Sequence, residues 1–386
     1  MKVTLPPLSE TEQRHHVAVA QAVAQAIKQQ GGFLPFAAFM QLVLYAPQLG
    51  YYAVGTHKLG RDGDFITAPE LSPLFAQALA TQTKPILREL GPDAQVLELG
   101  AGSGQLAFDM LLSLERLEAL PSRYAILEIS PDLRARQQQT LARLPAHLVK
   151  LVHWLERPPQ QPWCGLLIAN EVVDALAVSC VEFTQGQWHE CGVVESAQGL
   201  KLASRPASDA LRARIHAQRP TPIEGERREL CEYLTPWVQS VLAQLVRGVA
   251  LFIDYGSGAA EIFADERTQG TLSCFYKHRQ HSDVLRHLGV QDITAWVDFT
   301  ALAQAAASAQ AELLGFTTQA AFVLANDFDQ HYQYNLTHLD PLRLAQAARQ
   351  LLLPTQMGER FKVLAVGKNY AQPLRGFSND LRHLLG

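Results

Sequence analysis

Apolar positions fall into two regimes along the chain. Near the N-terminus they read as helices. "SETE" puts Ser9 three residues ahead of Glu12, a capping box that opens a helix running to Gly31-Gly32. Pro35 suits the first turn of a second helix, "PFAAFMQLVLY". From residue 95 the apolar residues instead gather in short runs: "QVLEL", "RYAILE" (123–128), "LVKLVHW" (148–154), "GLLIAN" (165–170) and "GVALFID" (248–254). Helical or loop-like stretches separate most of these runs, an alternation that predicts a parallel sheet covered on both faces. Residues 178–230 interrupt the rhythm. "VSCVEFTQGQWHECGVV" alternates about a turn at Gln185-Gly186, a hairpin pattern, and a polar stretch follows. Toward the end the pattern predicts a helix over 300–315, a strand near 317–324, helical residues to about 353 and a last strand, "FKVLAVG" (361–367).

These patterns divide the chain into four parts. Residues 1–90 read as a helical and loop cap, and 91–177 as the first half of a sheet domain. Residues 178–230 read as an insertion between the fourth and fifth parallel strands, and 231–386 as the second half, with a helical insertion near 326–358. Composition narrows the class. Hydrophobic residues make up 48% and charged residues 18% of 386, which is globular. A net charge of −4 supplies no overall basic field for nucleic acid, and Arg227-Arg228, beside Glu224, Glu226 and Glu229, reads as a solvated face. The five cysteines contain no C-x-x-C pair, which argues against a zinc site and against a disulfide framework. His278 and His281 of "KHRQH" have no further ligand nearby in sequence, so no metal is expected. The start, "MKVTLPPLSETEQ", has no apolar core and carries Glu10 and Glu12, unlike a secretory or transit segment. With no apolar run of about 18 residues to insert in a membrane, the reading is a cytoplasmic protein.

The chemistry starts at "VLELGAGSGQL", between a predicted strand and helix. Glycines there let the backbone turn sharply beside a ligand, and the helix N-terminus offers free N–H groups. A dinucleotide fingerprint wants glycine at 100, 102 and 105, but position 105 is Gln. Glu98-x-Gly100-x-Gly102-x-Gly104 instead resembles the first motif of class I S-adenosylmethionine-dependent methyltransferases. Glu128 ends the second predicted strand, where a carboxylate can accept both hydroxyl hydrogens of a ribose. The predicted strand ends carry Glu98, Glu128, Asn170-Glu171 and Asp254-Tyr255. Acids clustered in one crevice imply a cationic or multiply hydroxylated ligand, and a sulfonium meets that demand where a pyrophosphate does not.

"LYAPQLGYY", "GDFITAPELSPLF", "ELGAGSGQL", "LEISPDL", "NEVVDAL", "DYG", "DITAWVDF" and "MGERFKVL" occur in the order seen in the MidA family, over about residues 30–368. The chain resembles that family, which includes the mitochondrial complex I assembly methyltransferase. The resemblance implies an α/β class I methyltransferase fold, a Rossmann-like, mostly parallel seven-stranded sheet with a family-specific N-terminal cap. It also implies S-adenosyl-L-methionine as cofactor and a protein acceptor; the mitochondrial relatives methylate an arginine on a subunit of NADH:ubiquinone oxidoreductase. Departures are Ala68, Ala101, Ser103 and Ala177, none at an acid or a glycine of the motifs.

An arginine acceptor brings one cation to another, and carboxylates must then hold it and offset the developing charge. Glu171 and Asp174 of "NEVVDAL", three apart, would project from one face of a helical turn as the catalytic pair. The other reading is that Asn170 caps a following helix and the acids complement its dipole. Cofactor binding falls to Asp64, Thr67, Glu98, Gly100, Gly102, Gly104, Glu128 and Asn170, with "GDFITAPE" as a lid over the methionine end. In that segment Glu70 reads as a helix-dipole device. Asp254 reads either as part of the site or as a hydrogen bonder at its strand end, and Trp154 as an adenine neighbour or as core. Three functions stay open: a protein-arginine methyltransferase, a methyltransferase for another nucleophile or small molecule, and a cofactor-binding assembly factor with little turnover.

Overall fold

A computed structural model describes residues 5–54 and 67–386. They form two compact units, each drawn from three separate stretches. The larger holds Ile66–Val173, Leu234–Gly258 and Val297–Gly386; the smaller holds Met1–Phe65, Asp174–Tyr233 and Ala259–Trp296.

The larger unit is built on seven strands: β1 (Gln95–Leu99), β2 (Arg123–Leu127), β3 (Val152–Leu155), β4 (Trp163–Asn170), β5 (Leu245–Ser257), β6 (Glu312–Thr318) and β7 (Phe361–Lys368). They lie in the order β3-β2-β1-β4-β5-β7-β6, and a short strand, Val297–Asp298, pairs with the end of β5. The first five run parallel, β7 is antiparallel to β5, and β6 is antiparallel to β7. This is the mostly parallel sheet of a class I methyltransferase, Rossmann-like α/β fold. Val96, Leu166, Ile168, Val249, Leu251 and Val363, all fully buried, give the sheet its core, with Leu79, Ile86, Met110 and Leu114 from the covering helices. Burial on both sides is why these strands read as unbroken apolar runs.

Helix Leu74–Leu90 belongs to this unit, which corrects the reading of 1–90 as one cap. Every residue from Leu74 to Thr83 is buried, polar ones included. Of these, Gln77 and Thr81 are matched by a distant helix, Phe328–Leu336, whereas Gln82 Oε1 accepts from Gly376 N at 2.7 Å. Asn335 Nδ2 donates to Gln77 Oε1 at 2.7 Å, and Thr81 Oγ1 lies 2.9 Å from His331 Nε2. The predicted strand at 317–324 is also displaced. β6 ends at Thr318, whose hydroxyl accepts from Ala321 N at 3.2 Å and caps a helix, Gln319–Ala325. The preceding helix stops at Ser308 rather than 315.

In the smaller unit the capping box at Ser9 opens helix Glu10–Gln29 as expected, and a second helix spans Phe36–Tyr45. The hairpin is Ser179–Thr184 with Gln187–Ser196, its two turn residues Gln185 and Gly186 both at positive φ. It does not stand alone as an insertion. Gln187–Ser196 also pairs with Leu34–Pro35 and with Gly199–Pro206, and Ser179–Thr184 pairs with Arg227–Leu230. Segment 259–296 completes the unit with a three-stranded sheet of Ser273–Tyr276, Arg279–His281 and Asp292–Thr294. His278 is exposed in the tight turn of that sheet, both Lys277 and His278 having positive φ. Val19, Val23 and Ile27 of the first helix pack with Phe39, Met40 and Val43 of the second, and with Val193, Cys274 and Ile293.

The Arg227-Arg228 stretch is only half a solvated face. Arg227 and Glu224 are exposed, whereas Arg228 and Glu226 are buried. Glu226 Oε1 lies 2.8 Å from both Arg219 Nε and Arg228 Nε, and Oε2 accepts from Ile223 N at 2.8 Å. Strand alternation puts Arg228 and Leu230 on the inner side, and Glu226 lies just ahead of the strand. Replacing Glu226 by Gln takes the carboxylate partner from the buried Arg228 guanidinium, while Arg219 keeps Asp265 at 2.6 Å. Urea unfolding of Glu226→Gln is expected to show a loss of about 3–5 kcal/mol; a loss below about 1 kcal/mol would show that the pairing is not needed.

Candidate functional site

β1 feeds a turn, Gly100–Gly104, and then helix Gln105–Arg116. Gly100, Gly102 and Gly104 all have positive φ, at 60°, 53° and 85°. A side chain at Gly104 would come within 3.1 Å of Gln137 Cα, and one at Gly100 within 3.3 Å of Val172 Cγ2. Positive φ at all three positions, with the close approach of Gln137 and Val172 at two of them, is what requires glycine in this cradle, at a helix start with no side-chain cap. Two side chains hold the cradle from behind. Gln137, fully buried on helix Pro131–Leu141, donates through Nε2 to Gly102 O at 3.1 Å and to Glu128 Oε2 at 2.8 Å. Its Oε1 accepts from Trp154 Nε1 at 3.0 Å. On the other side the Ser103 hydroxyl donates to the Glu70 carboxylate.

Glu98, Glu128 and Asp254 are buried, and each has partners within the unit, while Glu171 is half-buried. Glu98 is 2% exposed and accepts from Tyr124 Oη at 2.6 Å. Burial pushes its pKa up to about 7; the Tyr124 hydrogen bond opposes the rise and the Glu128 charge adds to it. Glu128, also buried, accepts from Ser130 N at 2.9 Å, and desolvation raises its pKa as well. Asp254 is fully buried inside β5, where Oδ2 accepts from Val173 N at 3.0 Å and Oδ1 from Tyr255 N at 2.9 Å. It fixes the chain leaving β4, and does so from inside β5 rather than from the strand end where the sequence reading put it.

The larger unit thus brings together Glu98, Gly100, Gly102, Gly104, Glu128 and Asn170 at the carboxyl ends of neighbouring strands. Asn170 Oδ1 is buried and meets no hydrogen-bond donor among the described residues. Thr67 precedes helix Ala68–Leu71, and its hydroxyl makes no capping bond there. Asp64 lies outside the described residues. One premise is corrected: no helix follows Asn170. Glu171 has φ 53°, its N–H bonds Ile253 O at 2.9 Å, and residues 171–178 run as bends and turns to the next strand. A left-handed residue followed by the Val173–Asp254 bond cannot continue as a helical turn, so neither the one-face argument nor the Asn170 cap applies. Asn170 Nδ2 donates instead to Glu171 Oε1 at 3.3 Å.

Sequence reasoning missed Gln137, Tyr124 and the role of Glu70. Gln137 and Tyr124 act through partners far along the chain and leave no local pattern. Glu70 does sit in the first turn of a helix, but that helix is four residues long and the carboxylate serves the glycine turn. The "TAPE" motif, seen beside "GAGSG", was the available signal. Among the described residues no group of three or more His, Cys, Asp or Glu is placed to hold a metal, and no helix is long and apolar enough to cross a membrane.

Comparison with known proteins agrees with this geometry. The profile of a family of S-adenosyl-L-methionine-dependent methyltransferases matches residues 78–317. A crystal structure of a Burkholderia thailandensis protein bound to S-adenosyl-homocysteine superposes with TM-score 0.92 at 37% identity, covering 98% of both chains. The mitochondrial protein arginine methyltransferase NDUFAF7 homologue of Drosophila melanogaster is 30% identical over 94% of this chain and 87% of its own. NDUFAF7 of Mus musculus is 32% identical over 87% of this chain and 81% of its own. These relatives are mitochondrial proteins, which points away from the cytoplasmic placement read from N-terminal composition. That reading rested on the absence of a leader-like pattern, which does not determine a compartment.

Glu98 gives the site a measurable signature. Its folded pKa lies above its unfolded value, so the folded state binds the extra proton and stability falls as pH rises from about 4.5 to 7. Without added ligand, Glu98→Gln should remove part of that fall, up to about 3 kcal/mol at pH 7. Urea titrations of both proteins at pH 5 and pH 7.5 check this; parallel losses in the two would show that Glu98 is not the group that titrates. The glycine cradle, the buried acids beside it, the matching profile and the ligand-bound neighbour lead to one conclusion: the chain belongs to the MidA family of S-adenosyl-L-methionine-dependent methyltransferases, with S-adenosylmethionine as its cofactor.

Proposed function

We propose that the acceptor is an arginine side chain on a partner protein. The observation that carries this is the near full-length similarity to proteins named as protein arginine methyltransferases. The chemistry of the chain supports it. Bound S-adenosylmethionine supplies an electrophilic methyl group on a sulfonium, and the protein's task is to position a nucleophile in line with it. A guanidinium is always charged, so carboxylates would hold it and take up the N–H proton it loses as the C–N bond forms and the methyl–sulfur bond breaks, leaving a neutral thioether. Glu171 and Asp174 follow β4 closely in the chain, and their carboxylates are assigned to that task. Gly100, Gly102 and Gly104 cradle the cofactor's methionine portion, and Glu128 holds its ribose. Asn170, Glu98, Thr67 and Asp64 complete the set, with Asp64 meeting the amino or sulfonium group.

Two experiments test this. Protein incubated with methyl-labelled S-adenosylmethionine and a lysate of cells lacking it should place label on arginine, recovered as methylarginine after hydrolysis. Label on a different residue or on a small molecule would replace the acceptor while leaving the methyltransferase in place. In the second, Glu171→Gln should bind S-adenosylmethionine within about twofold of the parent yet transfer methyl about 100-fold more slowly, as expected when one charge-stabilising group is lost. Wild-type turnover in that variant would remove Glu171 from the mechanism.

A further inference from the structure

Three parts of the larger unit's cofactor site meet on one fully buried amide, that of Gln137. Its helix, Pro131–Leu141, is capped by Ser130. The Ser130 hydroxyl accepts from Leu133 N at 3.4 Å, while its own N–H donates to Glu128 Oε1 at 2.9 Å. Gln137 follows that cap by about two helical turns, which returns it to the same side of the helix. There Nε2 donates to Glu128 Oε2 at 2.8 Å and to Gly102 O at 3.1 Å, and Oε1 accepts from Trp154 Nε1 at 3.0 Å.

The partner types fix which way the amide faces. An indole N–H only donates, and a carbonyl or an ionised carboxylate only accepts. Trp154, on β3, therefore holds Oε1 and leaves both Nε2 hydrogens to Gly102 and Glu128. The reversed amide would break all three bonds and strand buried polar groups, which is costly. An apolar side chain would fill the same space with nothing to satisfy, so packing does not account for a glutamine here.

Two consequences follow for the ligand. Ser130 pins one oxygen of Glu128 and Gln137 the other, so the carboxylate plane cannot turn. A carboxylate has about four acceptor positions, so capacity remains, and its direction is set. The same amide also holds the carbonyl of Gly102, which ties the glycine turn to Glu128. Contact between turn and helix is close as well, since a side chain at Gly104 would lie 3.1 Å from Gln137 Cα.

We propose that Gln137, oriented by Trp154, is a positioning residue that makes the site selective for an intact ribose, by locking Glu128 in the plane that accepts both hydroxyl hydrogens. This rests on the assignment of Glu128 to the ribose made above and is independent of the methyl acceptor. Gln137 acts through Glu128 and Gly102, so its effect falls on cofactor affinity.

Calorimetric titration with S-adenosylhomocysteine and with its 2′-deoxy and 3′-deoxy analogues tests it. The parent protein is compared with Glu128→Ala, Gln137→Met and Trp154→Phe. The parent should prefer S-adenosylhomocysteine to either analogue by about tenfold or more, the size of one hydrogen bond to a charged group. Gln137→Met should bind S-adenosylhomocysteine about tenfold more weakly and the analogues little changed, so that the preference nearly vanishes. Trp154→Phe leaves Gln137 in place but lets its amide turn, and should lower the preference too; if Gln137→Met fails to fold, Trp154→Phe decides. A preference kept intact in either variant, with all three ligands weakened alike or not at all, overturns the positioning role. Loss of the preference in Glu128→Ala would then still leave Glu128 on the ribose. No preference in the parent, or one that survives Glu128→Ala, overturns both.

Discussion

Parallel hydrogen bonding among β3, β2, β1, β4 and β5 delivers five carboxyl ends to one edge of the sheet, and acids sit at or near most of them. Parallel pairing has a second consequence, burial of both faces, which takes those acids out of water. The rest of the larger unit follows from satisfying them. Tyr124 is carried on the neighbouring strand to meet Glu98, Gln137 reaches from a helix to Glu128, and Asp254 takes the Val173 N–H as the chain leaves β4. The cradle is therefore held by the same bonds that make the acids tolerable, and a change in one is felt in the other.

Much of this was legible in the sequence. Doubly buried strands make short apolar runs, so β1, β2, β4, β5 and β7 stand out, and the spacing of Gly100, Gly102 and Gly104 marks the turn. What was not legible is instructive. Strand Gly199–Pro206 is largely solvent-exposed, so it lacks the alternation that would reveal it. The segment after Asn170 carries acids at helical spacing, yet one left-handed residue and one long-range hydrogen bond override the pattern. The stretch after β6 was assigned by its apolar content alone, and the Thr318 cap decided otherwise. Gln137 acquires meaning only from partners brought from elsewhere in the chain.

The two units carry different kinds of polar group. In the larger, the acids beside the glycine turn are met by backbone and side-chain donors of that unit, so much of the site is preorganised in the bare fold. In the smaller, the buried Thr294 hydroxyl has no hydrogen-bond partner among the described residues.

The interleaving of the units has a consequence for how the protein is made. A ribosome emits β1 to β4 and then a long stretch of the other unit before β5, the strand that pairs with β4, appears. Until then β4 is an exposed parallel edge, and the smaller unit likewise waits for residues up to Trp296. Neither unit can be finished cotranslationally from one contiguous segment, and no single cut in the gene would separate them. The nascent chain therefore carries two half-built cores at once, each waiting on a later segment for the strands that complete it.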